Sequence, residues 1–165
     1  MTPILDPNIL EFFSHSPDQT KRVGIRLGNL LQKGSVLCLS GDLGSGKTTL
    51  VQGIARGWGS PDNVTSPTFI LVNQYRRPNG MVLYHLDAYR LQNDTEAEDL
   101  DLDLMLEEGC LVIEWPEKII GVLPDKRLWI TLEWLSEEKR HMTVNPTGKH
   151  YKHLTEDLRQ QAFGG

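Results

Sequence analysis

Gly41-Asp42-Leu43-Gly44-Ser45-Gly46-Lys47-Thr48, followed by Thr49, fills every fixed position of the pattern G-x-x-x-x-G-K-[ST]. Glycines at such positions let successive N–H groups turn inward around phosphate oxygens, where a Cβ would obstruct them. An apolar run precedes this loop and a helical pattern follows it. The donors therefore stand at a helix N-terminus, where the dipole also favours an anion. In this arrangement Lys47 reaches the β- and γ-phosphates and the Thr48 hydroxyl ligates Mg²⁺. A turn that merely led a strand into a helix would explain the glycines, but not a lysine and a hydroxyl at their fixed offset. Gly41 to Thr49 are accordingly read as nucleotide-binding.

A phosphate-bound Mg²⁺ usually takes a second handle from the protein, a carboxylate at the end of a buried strand. Glu114 follows Leu111-Val112-Ile113, and Asp87 closes "MVLYHLD". Two such acids near one metal divide the work. One holds the ion directly or through water, and the other orients or deprotonates the attacking group. Residue types alone leave open which does which. Either acid by itself would read as a solvated charge; behind a phosphate loop, Lys47, Asp87 and Glu114 become the catalytic candidates. "NVTSPTF" adds three hydroxyls, Thr65, Ser66 and Thr68, around a proline. That composition suits a switch closing on the γ-phosphate and a plain connecting loop equally.

The elements that must position these groups are legible around them. Ser16-Pro17-Asp18-Gln19 combines an N-cap serine, a first-turn proline and a glutamine three residues on, a capping box. Val23, Leu27, Leu30 and Leu31 then recur on one face until Gly34 ends the predicted helix. "SVLCLS" is the short apolar run of a strand buried on both faces, and the segment from Lys47 to Gly57 reads as helix. "FILVNQY" and "MVLYHLD" flank Arg76-Arg77-Pro78-Asn79-Gly80, and Asn-Gly signals a hairpin. Residues 95 to 108 read as one acidic helix with Leu100 and Leu104 inward, and "CLVIE" as a buried strand. Pro116 and Pro124 mark irregular connection. "RLWITLEW", with Leu128, Ile130 and Leu132 on one face, pairs with "RHMTVN" across a turn from Ser136 to Lys139. A last helix starts near Tyr151 with Leu154, Leu158 and Ala162 in phase. The order predicts a single α/β domain over residues 1–165, a P-loop NTPase-like three-layer sandwich whose mixed central sheet includes antiparallel strands.

At 165 residues with 39% hydrophobic residues, the chain has enough apolar material for one core. A net charge of −5 argues against a chain-wide grip on nucleic acid, which normally needs a basic face. The N-terminal "MTPILDPNILEFF" has no basic start or cleavage site, and no run approaches the roughly 18 apolar residues of a membrane span. The expectation is a soluble cytoplasmic protein. Cys38 and Cys110 lie in apolar runs and read as inert core thiols, and the five histidines form no zinc-like set.

"GDLGSGKTT", "SPTF", "HLDAYRL" and "IEWPE", in this order, resemble the bacterial TsaE family, small P-loop ATPases required to make threonylcarbamoyladenosine in tRNA. The resemblance runs from the helix at Thr20 to the strand at Arg140. It is specific because "HxDxYRL" and "EWxE" are not general P-loop features. It implies ATP and Mg²⁺ as cofactors, with Gly41 to Thr49 on the nucleotide and Thr48 and Glu114 at the metal. It also implies that Thr20 in "PDQTKRVG" and Arg140 in "EEKRHMTV" help bind the nucleotide, and that Asp87 corresponds to the family's essential aspartate. The implied partners are TsaD and TsaB, which transfer the threonylcarbamoyl group to the adenosine beside the anticodon, with tRNA contacted indirectly. In such proteins hydrolysis resets that complex between turnovers and does not drive the transfer itself.

Eight carboxylates between Asp94 and Glu108, without a basic residue, form a solvated face or a docking surface. Trp115 reads equally as a core anchor and as an interface aromatic. The competing function is a small-molecule kinase on the same P-loop, although Arg56, Arg76, Arg77, Arg90, Arg127 and Arg140 are scattered, with no lid insertion to gather them. A GTPase fits less well, since no N-K-x-D motif occurs.

Overall fold

In the computed structural model, which describes residues 6–64 and 72–164, apolar runs and amphipathic segments alternate along most of the chain. The elements are β1 (Leu10–Ser14), α1 (Pro17–Leu30), β2 (Val36–Ser40), α2 (Lys47–Trp58), β3 (Val72–Arg76) and β4 (Val82–Asp87). They continue with α3 (Asp94–Glu98), α4 (Leu102–Glu108), β5 (Gly109–Glu114), a 3-10 helix (Pro116–Val122), β6 (Arg127–Trp134), β7 (Arg140–Thr147) and α5 (Lys149–Ala162). Among the described residues the strands form one seven-stranded sheet in the order β1-β7-β6-β2-β5-β4-β3. β6, β2, β5 and β4 are mutually parallel, and β1, β7 and β3 join antiparallel. The mixed sheet is thus the one expected.

Two cores lie on its opposite faces. Leu37, Leu39, Val112 and Ile130 pack beneath Leu27 of α1, Ile54 of α2 and Leu158 of α5. On the other side Val36, Cys38, Leu111 and Ile113 meet Ala97 of α3, Leu102 of α4 and Ile119 of the 3-10 helix. β2 and β5 feed both cores, which is why each is apolar at nearly every position. Cys38 and Cys110 are buried and free. Burial pushes both thiols up to about 12, so neither ionises near neutral pH.

Several local expectations are corrected. Strand β1 has no counterpart in the sequence reading; "LEFFS" is too short to show alternation, and it forms by pairing with β7, Phe12 opposite Met142. The Ser16 side chain accepts from the Gln19 N–H at 3.2 Å, but Gln19 Oε1 accepts from the His15 N–H at 2.8 Å, one residue before the expected partner. α1 stops at Leu30, and Gly34 (φ 89°) instead turns the chain into β2. The acidic stretch is two helices. Asp101 (φ 54°) adopts a left-handed conformation and caps α4 through its side chain, accepting from the Leu104 N–H at 3.2 Å. That break shifts the phase: Leu102 is buried, whereas Leu104 is 49% exposed. The hydroxyl-bearing segment Thr65–Thr68 lies outside the described residues.

α2 is held against α1 by direct backbone contact. Gly24 and Gly28 on α1 face Gly53 and Gly57 on α2, each pair one helical turn apart. A Cβ on Gly28 would lie 2.1 Å from the Ile54 carbonyl oxygen, and one on Gly57 2.0 Å from that of Ile25. Backbone cannot yield to such an overlap as a side chain tip would. Gly28→Ala should therefore lower the unfolding free energy by about 1–3 kcal/mol, against the gain of about 1 kcal/mol that alanine brings to an exposed helical site. Urea denaturation measures the sign, and a stabilised variant would refute the contact.

Candidate functional site

The parallel ladders bring the chemistry to one edge. Leu39 lies opposite Glu114, and Glu114 opposite Asp87, so β2, β5 and β4 end side by side. The chain leaving β2 forms the glycine loop and enters α2 at Lys47. Gly46 sits at the helix N-cap with φ 104°, a conformation open to glycine, and no side chain caps the first turn. α1, α3 and α4 all receive side-chain caps from Ser16, Asn93 and Asp101. The first N–H groups of α2 thus remain available to an anion.

Asp42 to Thr49, Asp87, Glu114, Trp115 and Arg140 surround one cavity of ≈ 400 Å³. Lys47 is only 6% exposed. Its Nζ donates to the Gly41 carbonyl and, at 3.3 Å, to that of Asp42, so the side chain folds back over its own loop. The ammonium also lies 4.2 Å from the centroid of the Trp115 ring. Burial lowers the Lys47 pKa, opposed by the nearby charges of Glu114 and Asp87. Burial raises that of Asp87; the Tyr89 N–H donated to Asp87 Oδ1 at 2.9 Å opposes the shift, and the Glu114 charge adds to it.

Trp115 takes a left-handed conformation (φ 58°) between the strand-end Glu114 and Pro116, which opens the 3-10 helix. Proline disfavours right-handed helical geometry in the residue before it. The resulting turn lays the Trp115 ring 5.0 Å from that of Tyr89, forming a wall of the cavity. Trp115 is thus neither fully buried nor an isolated surface aromatic.

Arg140 reaches across from β7. Its Nε donates to the Ser45 carbonyl at 2.9 Å and a terminal nitrogen to that of Gly44 at 3.2 Å, while the other terminal nitrogen binds the Ser136 carbonyl at 2.6 Å. The guanidinium therefore ties the glycine loop to the turn between β6 and β7. Thr20 lies beside this cavity, in a small recess shared with Gly46, Thr49 and Arg140. It is 2% exposed, and its hydroxyl is 2.6 Å from that of Ser14.

The residues present fit a magnesium nucleotide. The loop is shaped by left-handed glycines, the helix start lacks a side-chain cap, and Ser45 Oγ is buried without a partner among the described residues. Thr48, Asp87 and Glu114 supply hard oxygen atoms. Among the described residues no group of three or more His, Cys, Asp or Glu forms a metal cage.

Sequence reasoning missed His85 and Tyr75. His85 is fully buried, its Nε2 2.5 Å from Glu114 Oε2 and its Nδ1 2.9 Å from the Tyr75 hydroxyl. The signal was available: in a strand, His85 must share a face with Asp87, two residues on.

Comparison with known proteins gives one consistent result. The family model described as "Threonylcarbamoyl adenosine biosynthesis protein TsaE" matches residues 14–142. A protein of Bacillus subtilis with the name tRNA threonylcarbamoyladenosine biosynthesis protein TsaE is 36% identical over 151 residues, covering 90% of this chain and 93% of that one. A Streptomyces coelicolor protein of the same name is 39% identical over 137 residues, covering 79% and 93%. The crystal structure of Bacillus subtilis YdiB superposes with a TM-score of 0.77 at 30% identity, covering 97% of this chain and 99% of that one.

The raised pKa of Asp87 has a consequence for stability. A carboxyl whose folded pKa lies above its unfolded value favours folding while protonated, and that advantage is lost as pH rises through the folded value. In nucleotide-free protein, Asp87→Asn should raise the melting temperature at pH 7, with the difference from wild type shrinking as pH falls through the raised folded value and levelling off below the unfolded value of about 4. Thermal melts across that range check the sign; a destabilised variant at pH 7 would contradict the buried-charge account.

Proposed function

We infer from the TsaE family, to which this chain belongs, that the protein acts in forming threonylcarbamoyladenosine in tRNA. Its role there is that of a cytoplasmic, MgATP-binding and hydrolysing accessory protein, which resets the TsaD and TsaB transferase complex between turnovers. The observation that carries this reading is the convergence of the uncapped start of α2 with Lys47, Asp87 and Glu114 around one cavity.

Each residue then has a task its surroundings suit. The N–H groups from Gly41 to Thr49 hold the phosphates, and Lys47 exchanges its own loop carbonyls for the β- and γ-phosphate oxygens. The Thr48 hydroxyl and Glu114 hold magnesium, which when bound draws charge from the phosphate oxygens. Asp87 orients the attacking water and accepts its proton; a carboxylate made more basic by burial suits that work near neutral pH. Arg140 fixes the loop from behind, and Thr20 supports the edge of the nucleotide site.

The acidic balance of the chain, −5, supports protein partners before direct contact with tRNA. Among the described residues no helix is long and apolar enough to cross a membrane.

ATP turnover measured for the protein alone, with candidate metabolites, and with TsaB and TsaD tests the reading. Stimulation by the two proteins together is expected, and Lys47→Ala should lower the stimulated rate by roughly 100-fold or more. A phosphorylated metabolite would instead identify a small-molecule kinase, and an unchanged rate in Lys47→Ala would dismiss the site.

A further inference from the structure

Between the cavity and the core runs a polar chain of three side chains, Glu114, His85 and Tyr75, which are respectively 4%, 0% and 3% exposed. Among their neighbours on that face of the sheet, Leu83, Cys110 and Val112 are apolar and fully buried, while Asn73 donates to the Tyr75 hydroxyl at 3.4 Å. The strand register explains how the three meet. β4 and β5 place His85 opposite Val112 and Asp87 opposite Glu114, so His85 reaches Glu114 along a diagonal on the same face. β3 places Asn73 opposite His85, which sets Tyr75 on the next diagonal.

With His85 as the neutral imidazole, the hydrogen bonds run in one direction. An ionised Glu114 only accepts, so His85 Nε2–H donates to Oε2 at 2.5 Å. Nδ1 is then the acceptor, and the Tyr75 hydroxyl donates to it at 2.9 Å. Each group fixes the next: the tyrosine orients the imidazole, and the imidazole occupies one carboxylate oxygen and fixes the plane of the other. A core needing only to be filled would place a leucine or methionine at 85 without burying two ring nitrogens that must both be satisfied.

We propose that His85, oriented by Tyr75, is a positioning residue that holds the Glu114 carboxylate in the orientation needed to receive the nucleotide's magnesium ion. The proposal rests on the reading of this site as a MgATP site. It leaves to Asp87, the next residue on the same face of β4 beyond His85, the work on the attacking water.

The test separates metal from phosphate binding. Affinity for ADP and for a non-hydrolysable ATP analogue is measured by calorimetry, once with Mg²⁺ and once with EDTA, for wild type, His85→Met, His85→Gln and Tyr75→Phe. Wild type should bind more tightly with Mg²⁺. His85→Met should lose roughly 10–100-fold of the magnesium-dependent affinity, the range typical when the partner of a metal ligand is removed, while affinity in EDTA stays within about twofold. His85→Gln keeps an amide donor near the Nε2 position and should recover part of the loss. Tyr75→Phe should show the same selective loss to a smaller extent. In turnover with TsaB and TsaD, the Mg²⁺ concentration for half-maximal rate should rise in step.

Equal magnesium gains in all four proteins would overturn the positioning role, as would a loss in His85→Met that appears equally in EDTA. If His85→Met does not fold, Tyr75→Phe and His85→Gln decide by the same criterion. Wild type that binds no nucleotide in either condition would overturn the reading of the P-loop itself, a distinct outcome.

Discussion

The hydrogen-bond ladders joining β2 to β5 and β5 to β4 hold three parallel strands in a register that ends them together. Parallel strands place their carboxyl ends on one edge, and this register brings Leu39, Glu114 and Asp87 into line there. The glycine loop must leave from β2 at that point, so its inward N–H groups and the two carboxylates face the same cavity. A one-residue slip of β5 would turn Glu114 to the opposite face of the sheet and separate it from both His85 and the loop. The site is therefore a property of the register before it is a property of any side chain.

That edge is positioned by features that cost stability locally. Lys47 and Asp87 are partly desolvated, α2 begins without a side-chain cap, and Trp115 holds a left-handed backbone that only asparagine, aspartate and glycine adopt readily. Regular packing elsewhere offsets these costs. The glycine-lined contact between α1 and α2 presses α2 onto its neighbour over two turns, and Arg140 ties the loop to the turn between β6 and β7. Helix and loop are thus each anchored to an element that itself takes no part in the glycine loop. Strain of this kind persists only where the surroundings over-determine it.

Much of the fold was legible because its signals are local. The apolar run of "SVLCLS", the Asn-Gly hairpin before β4 and the alternation of Leu128, Ile130 and Leu132 each depend on near neighbours, and each element formed where expected. β1 was not legible because its stability comes from β7, more than a hundred residues away in sequence. The acidic stretch was misread because the backbone of Asp101 breaks one helix into two, a break that helical periodicity does not reveal.

Sequence by itself determined the chemistry on offer: a phosphate loop with its lysine and threonine, two strand-end carboxylates, and motifs specific enough to name a family. Those facts reside in residue types at fixed spacing, which survive without coordinates. Only the tertiary structure decided which groups act together. It joined Glu114 to His85 and Tyr75, turned Trp115 into a wall of the cavity, and gave Arg140 the carbonyls of Gly44 and Ser45. The reason is that strand register and helix contact are set by packing between distant segments, and hydrogen-bond partners follow from the register.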